Sequence, residues 1–105
     1  MVVEERIYTL QPMSAGGFLS LVEEEGFAVQ TEHLGKPVGY YTTEFGPQNQ
    51  IVHLWAYRDL QERAERRAAL VADPRWQAFR PKLKPFLVSQ ENKLLIPARF
   101  APVER

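Results

Sequence analysis

Hydrophobic and polar positions alternate from Val3 to Leu10, in "VEERIYTL", a run that also holds Ile, Tyr and Thr. A period of two built from those residue types predicts a half-buried strand. "QPMS" breaks the alternation. Ser14 is placed to cap a helix, and Phe18, Leu21 and Val22 then recur at i, i+3 and i+4. Gly16 and Gly17 weaken the first turn of that helix, at ~1 kcal/mol each relative to Ala. Gly26 interrupts the pattern, and "HLGKP" ends it near His33–Gly35 with a glycine and then a proline. "VGYYTTEF" predicts a second strand, "GPQN" a turn and "QIVHLWAY" a third strand. "RDLQERAERRAALVA" predicts a helix capped by Asp59. Its inward set is Leu60, Ala64 and Ala68, or Leu70 and Val71, and Arg63, Arg66 and Arg67 fall on a solvated side. "DPRWQAFRPKLKPF" opens another helical segment, with Asp73 as cap and Pro74 at its first position. "VSQENKLLI" is the last strand. The order is strand, helix, strand, strand, helix, strand. It predicts an α+β chain of one domain, residues 1–105: a ferredoxin-like βαββαβ unit with a four-stranded antiparallel sheet.

The alternation also sorts side chains by face. On the third strand, Val52, Leu54 and Ala56 form a small aliphatic set, whereas Ile51, His53, Trp55 and Tyr57 form a large, amphipathic one. The aliphatic set, with Val3 and Ile7, suits packing against helices. A hairpin closed around Pro47–Gln48 sets Thr42 against His53, Tyr40 against Trp55 and Glu44 against Ile51. The uncovered face is then expected to carry Glu4, Arg6, Tyr8, Tyr40, Thr42, Glu44, His53, Trp55 and Tyr57. So much exposed aromatic surface calls for cover. A second copy of the chain, packed sheet against sheet as a homodimer, would enclose an aromatic-walled cavity, giving a dimeric α/β barrel.

Composition narrows the function classes. Lys and Arg total 13, as do Asp and Glu, and the formal charge is zero. No basic stripe stands out, so a nucleic-acid partner is not expected. There are no cysteines, which removes disulfides, thiolate nucleophiles and Cys-ligated metal. No apolar run approaches the ~20 residues that cross a bilayer, so no membrane partner is expected. The opening "MVVEERIYTL" carries charges where a signal peptide needs an apolar run, and a cytoplasmic protein is the expectation.

"EERIYTLQP", "GYYTTEFGPQNQIVHLWAYRDLQERAERRAAL", "DPRWQAF" and "SQENKLL" together resemble the NIPSNAP family, over Glu4 to Pro97. The resemblance implies a dimeric α/β barrel of ferredoxin-like units. The wider superfamily includes cofactor-free monooxygenases, haem enzymes and lactone isomerases, so it also implies a small-molecule pocket. It supplies no reaction, because function lies in the site and not in the fold.

Two readings stand for each candidate residue. His53 is a candidate acid–base with Glu44, or else Glu4 or a tyrosine, as its orienting partner; alternatively it is a buried histidine held by Thr42 or by a partner across the interface. Arg6 is an anchor for a carboxylate or other anion, or one half of an ion pair with Glu4, Glu44 or Glu91. Tyr8, Tyr40, Thr42, Trp55 and Tyr57 line a ligand site or pack an interface. Gln90 and Asn92 reach the cavity or cap a sheet edge. His33 and His53 lie on different elements, and no spacing calls for a metal or another cofactor. The function expected is a homodimer that binds a small organic or anionic ligand, with a cofactor-independent oxygenase or isomerase as its enzymatic form. The alternative is a structural or interaction homodimer without chemistry.

Overall fold

A computed structural model describes residues 1–104. Strand β1 spans Val2–Leu10, β2 Gly39–Thr42, β3 Gln50–Tyr57 and β4 Leu87–Leu95. They form one sheet in the order β2-β3-β1-β4, with every neighbouring pair antiparallel. The first helical run consists of α1, Ala15–Leu21, a π turn over Val22–Gly26, and α2, Phe27–Leu34. The second consists of α3, Leu60–Ala72, then α4, Pro74–Phe79, then a 3₁₀ segment over Arg80–Phe86. The expected βαββαβ order and antiparallel sheet are both present.

The local signals act largely as their chemistry dictates. The Asp59 side chain accepts from the Glu62 amide and caps α3, and Asp73 accepts from the Arg75 amide and caps α4. Ser14 precedes α1, but its hydroxyl donates back to the Gln11 carbonyl and caps nothing. Gly26 closes the π turn, and a side chain there would run into the Phe79 ring, so this glycine is needed for close approach of α4. The hairpin is longer than a four-residue turn. β2 stops at Thr42, and residues 43–49 form a loop with positive φ at Gly46 and Asn49. Tyr40 therefore pairs with His53, and Thr42 with Ile51. This is a slip of two from the expected register, which leaves each side chain on the same face as its expected neighbours.

The identity of the covered face is reversed. Ile51, His53, Trp55 and Tyr57 are wholly buried, and they pack under the helices with Tyr8, Phe18, Val29, Leu34 and Leu70. Val52, Leu54, Ile7 and Tyr41 point to the uncovered side, where none of these four is fully buried. The physical reason is payload. Each aromatic ring removes roughly 150–250 Å² from water, far more than a Val or an Ala, so the ring-bearing set gains more from the helix cover.

Candidate functional site

Two apolar clusters fill the space between sheet and helices. One is built on Tyr8, Leu10, Phe18, Ile51 and Phe79, the other on Trp55, Tyr57, Val29, Leu34 and Leu70. Against the first lies a cavity of about 490 Å³, within the ~300–1,000 Å³ usual for small-molecule sites. β1 contributes Arg6 and Tyr8 to its wall, β2 Tyr40 and β3 His53; Arg67 comes from α3. Phe18, Trp76 and Phe79 supply apolar wall, and Gln30 and Gln90 amide groups. The cavity is thus on the helix side of a single chain, not on the uncovered sheet face. A smaller cavity of about 260 Å³, bounded by Leu19, Val22, Glu23 and Phe27, adjoins it across Tyr40.

His53 sits in the floor. Its ring stacks on Tyr40, with centroids 4.6 Å apart, and meets Tyr8 edge-on at 4.8 Å. The Trp55 indole N–H donates to His53 Nδ1 at 2.7 Å. An Nδ1 that accepts leaves the ring proton on Nε2, so the imidazole is neutral with its N–H at that atom. Burial, reinforced by the Arg6 charge, pushes its pKa down to about 3. Nε2 itself is buried and has no hydrogen-bond partner among the described residues.

Beside the floor is a charge cluster. Glu4, 1% exposed, accepts Arg63 Nε at 3.1 Å and Nη2 at 2.9 Å, Arg6 Nη1 at 3.0 Å and Asn92 Nδ2 at 2.8 Å. Burial alone would raise its pKa; the hydrogen bonds from Arg63 and Asn92 and the charges of Arg6 and Arg63 outweigh it and bring the value down to about 2. Arg6 also donates from Nε to the Tyr8 hydroxyl at 3.1 Å. Burial pushes the Tyr40 phenol well above its ordinary value, and the neighbouring Tyr8 adds to this. Arg67 is different. It has no hydrogen bond or ion pair among the described residues, and burial, then repulsion from Arg6, lowers its pKa. Arg80 and Lys84 add two further cations to the lining, and among the described residues no carboxylate lies on it.

The family model for NIPSNAP matches residues 3–102. The chain belongs to the NIPSNAP family. A NipSnap homolog of Dictyostelium discoideum is 35% identical over 94% of this chain, which covers 44% of that protein. NipSnap homolog 3B of Homo sapiens is 41% identical over 66% of this chain and 28% of its own length. The chain therefore spans less than half the length of these two relatives. A solved NIPSNAP family protein of unknown function from Agrobacterium tumefaciens is 48% identical, with a TM-score of 0.95 over 99% of this chain and 94% of that one. An antibiotic biosynthesis monooxygenase superposes with a TM-score of 0.64 over 93% of this chain and 99% of that one. At 14% identity it shares the fold only.

This NIPSNAP chain brings together part of the expected residue set. Arg6, Tyr8, Tyr40 and His53 line one cavity. Trp55 and Tyr57 are buried in the neighbouring apolar cluster instead, and the Tyr57 hydroxyl has no hydrogen-bond partner among the described residues. Thr42 is exposed at the end of β2. Glu44 lies in the exposed 43–49 loop, so it does not orient His53; Trp55 does. The reason is the longer hairpin, which ends β2 before Glu44 can pair. Of the two residues left open in "SQEN", Gln90 lines the cavity and Asn92 binds Glu4.

Arg63 and Arg67 leave the solvated face expected for them. With Arg66 and Leu70 they form an i, i+3, i+4, i+7 stripe turned to the fold: Arg63 reaches Glu4 and Arg66 the His33 carbonyl. That stripe was present in the sequence, hidden because three of its members are charged and bury only their stems and hydrogen-bonding heads. One set among the described residues has the donors for a cation: Glu32, His33 and Asp73, with donor atoms within 4.8 Å of one another. Arg75 already pairs with both carboxylates, and His33 Nε2 lies 2.9 Å from Asp73, so the set ties α2 to α4. Among the described residues no helix is long and apolar enough to cross a membrane.

Proposed function

We propose that this NIPSNAP chain is a small-molecule-binding protein whose site is the cavity between its sheet and its helices. The observation that carries the reading is the 490 Å³ cavity itself, whose lining sets Arg67, Arg80 and Lys84 beside Phe18, Trp76 and Phe79. His53 Nε2 lies sealed beneath that lining without a partner, at a cost of about 1–3 kcal/mol that a ligand acceptor removes only if a side chain above it moves. In this reading His53 acts as a fixed neutral donor and not as a general base, since its Nδ1 lone pair is occupied by Trp55. Tyr8 and Tyr40 form the walls against which a flat ligand stacks. The likeness in fold to an antibiotic biosynthesis monooxygenase makes a cofactor-independent oxygenase the first reaction to assay.

The same proposal includes a homodimer through the uncovered sheet face. Ile7, Val52 and Leu54 form an aliphatic centre there, with Tyr41 and Leu95 exposed beside it. A second copy is the occupant that such a face accepts without further parts. The second reading, an interaction dimer without chemistry, is favoured by Trp55 and Tyr57, whose rings pack in the core cluster and not on the cavity.

Native mass spectrometry of the purified protein tests both parts. The expected species is twice 12.1 kDa with a retained organic molecule. Single chains at micromolar concentration refute the dimer. A ligand-free dimer that also ignores a library of small aromatics refutes the binding reading and leaves the interaction dimer.

A further inference from the structure

Within that binding reading, we infer that the cavity selects an organic anion, a carboxylate or enolate on a flat apolar body, and that Arg67 is the residue that pairs with the negative charge. Two guanidinium groups bind the one buried carboxylate beside the cavity, and a third lies close by without a bonded partner among the described residues. Glu4 takes bonds from Arg6 and Arg63, so both of those cations are engaged. Arg67 lies on the same face of α3 as Arg63, one turn on, lines the cavity and donates to nothing among the described residues.

A half-buried cation beside another cation is destabilised relative to water until a counter-charge arrives. The lowered pKa of Arg67, through burial and then repulsion from Arg6, is consistent with this. Among the described residues no carboxylate lines the cavity to meet it. Arg80 and Lys84 lie exposed at the rim, where they add attraction for anions approaching from solvent.

The rest of the wall defines the other part of the ligand. Phe18, Trp76 and Phe79 accept an apolar body. Arg67 offers two parallel N–H donors, which match a carboxylate or a delocalised enolate in a way a lysine would not.

The experiment measures binding of matched pairs at low ionic strength: benzoate against benzamide, and 1-naphthoate against 1-naphthamide. Calorimetry and melting-temperature shifts are the readouts, on wild type, Arg67→Met and Arg67→Lys. The expected result is at least ~10-fold tighter binding of each acid than its amide, as one charge-assisted pair would give. Arg67→Met is expected to erase that preference, and Arg67→Lys to keep part of it. Ligand-free Arg67→Met is expected to melt at or above the wild-type temperature, because it removes a repelled charge; a scaffold role would lower it. Equal binding of acids and amides by wild type overturns the inference and leaves the cavity as a neutral-ligand site. An acid preference that survives in Arg67→Met overturns the assignment of the counter-charge to this residue. Failure of all four compounds to bind overturns the binding reading as well.

Discussion

Replacing Glu4 by Gln tests the charge cluster on which the cavity is built. The wild-type carboxylate has its pKa lowered from 4.5 to about 2, although burial alone would raise it; the bonds from Arg63, Asn92 and Arg6 win. That difference corresponds to about 3 kcal/mol of stability from the ionised group, at about 1.4 kcal/mol for each tenfold change in proton affinity. The folded value lies below the unfolded one, so the contribution is fully present above the ordinary pKa and is lost as pH falls toward about 2. Glu4→Gln keeps the size and one acceptor but removes the charge and leaves Arg6 and Arg63 facing a neutral amide. Urea denaturation at pH 7 is expected to place the variant about 3 kcal/mol below wild type, and the gap is expected to shrink to about half by pH 3. His53 also destabilises the fold in acid, because its pKa of about 3 lies below the ordinary 6.5 and the unfolded chain takes up the proton first. That loss is common to both proteins and drops out of the difference to first order. A gap that stays constant between pH 7 and pH 3 refutes the reasoning, since it would mean that Gln fails for its shape and not for its missing charge.

Other perturbations follow from the same contacts. His53→Ala empties the space between Tyr8 and Tyr40 and strands the buried Trp55 N–H, so denaturation should show a loss of about 2–5 kcal/mol, with altered tryptophan fluorescence. Gly26→Ala forces the Phe79 ring to move and should cost about 1–3 kcal/mol in the same assay. Leu54→Arg, on the uncovered sheet face, should convert the proposed dimer to single chains in sedimentation while the melting temperature of the monomer stays within a few degrees. Glu44→Ala, in the exposed hairpin loop, should stay within about 0.5 kcal/mol of wild type and bind the same ligands.

The fold was legible because each element carries its own local signal. β1 and β3 are rich in β-branched and aromatic residues, Asp59 and Asp73 cap as their positions require, and Pro74 follows its cap. The faces were less legible, because period-two alternation fixes which residues share a side but not which side the helices cover. On β3 both sets are apolar enough for a core: Val52, Leu54 and Ala56 by character, Ile51, His53, Trp55 and Tyr57 by area. Polarity favoured the first and buried area the second, and area decided. The grouping of Tyr8, Tyr40 and His53 survived that reversal because it depends on parity alone. Glu44 did not survive, because its placement depended on hairpin length, and positive φ at Asn49 is a local choice that the dipeptides of "GPQN" leave open. Arg67 was passed over because a charged residue on a helix reads as solvent-facing until the partner of its neighbour, here Glu4 beneath Arg63, is placed.

The cavity itself bears on whether the molecule is a scaffold or a binder. The 490 Å³ cavity is open to solvent, with the exposed Arg80 and Lys84 on its lining, so water fills it when no ligand is bound. Water suits the rim, where Arg80 and Lys84 are exposed, but meets Phe18, Trp76 and Phe79 deeper in, which offer it no hydrogen bonds. Ordered water next to those rings is readily displaced by an apolar group, with a gain in affinity, provided that the displacing molecule also satisfies the guanidinium it dehydrates. A neutral hydrocarbon meets the first condition and fails the second; inorganic phosphate does the reverse. The wall thus favours a molecule that is apolar at one end and anionic at the other, and a side-by-side titration with naphthalene, phosphate and 1-naphthoate should show binding by the naphthoate alone.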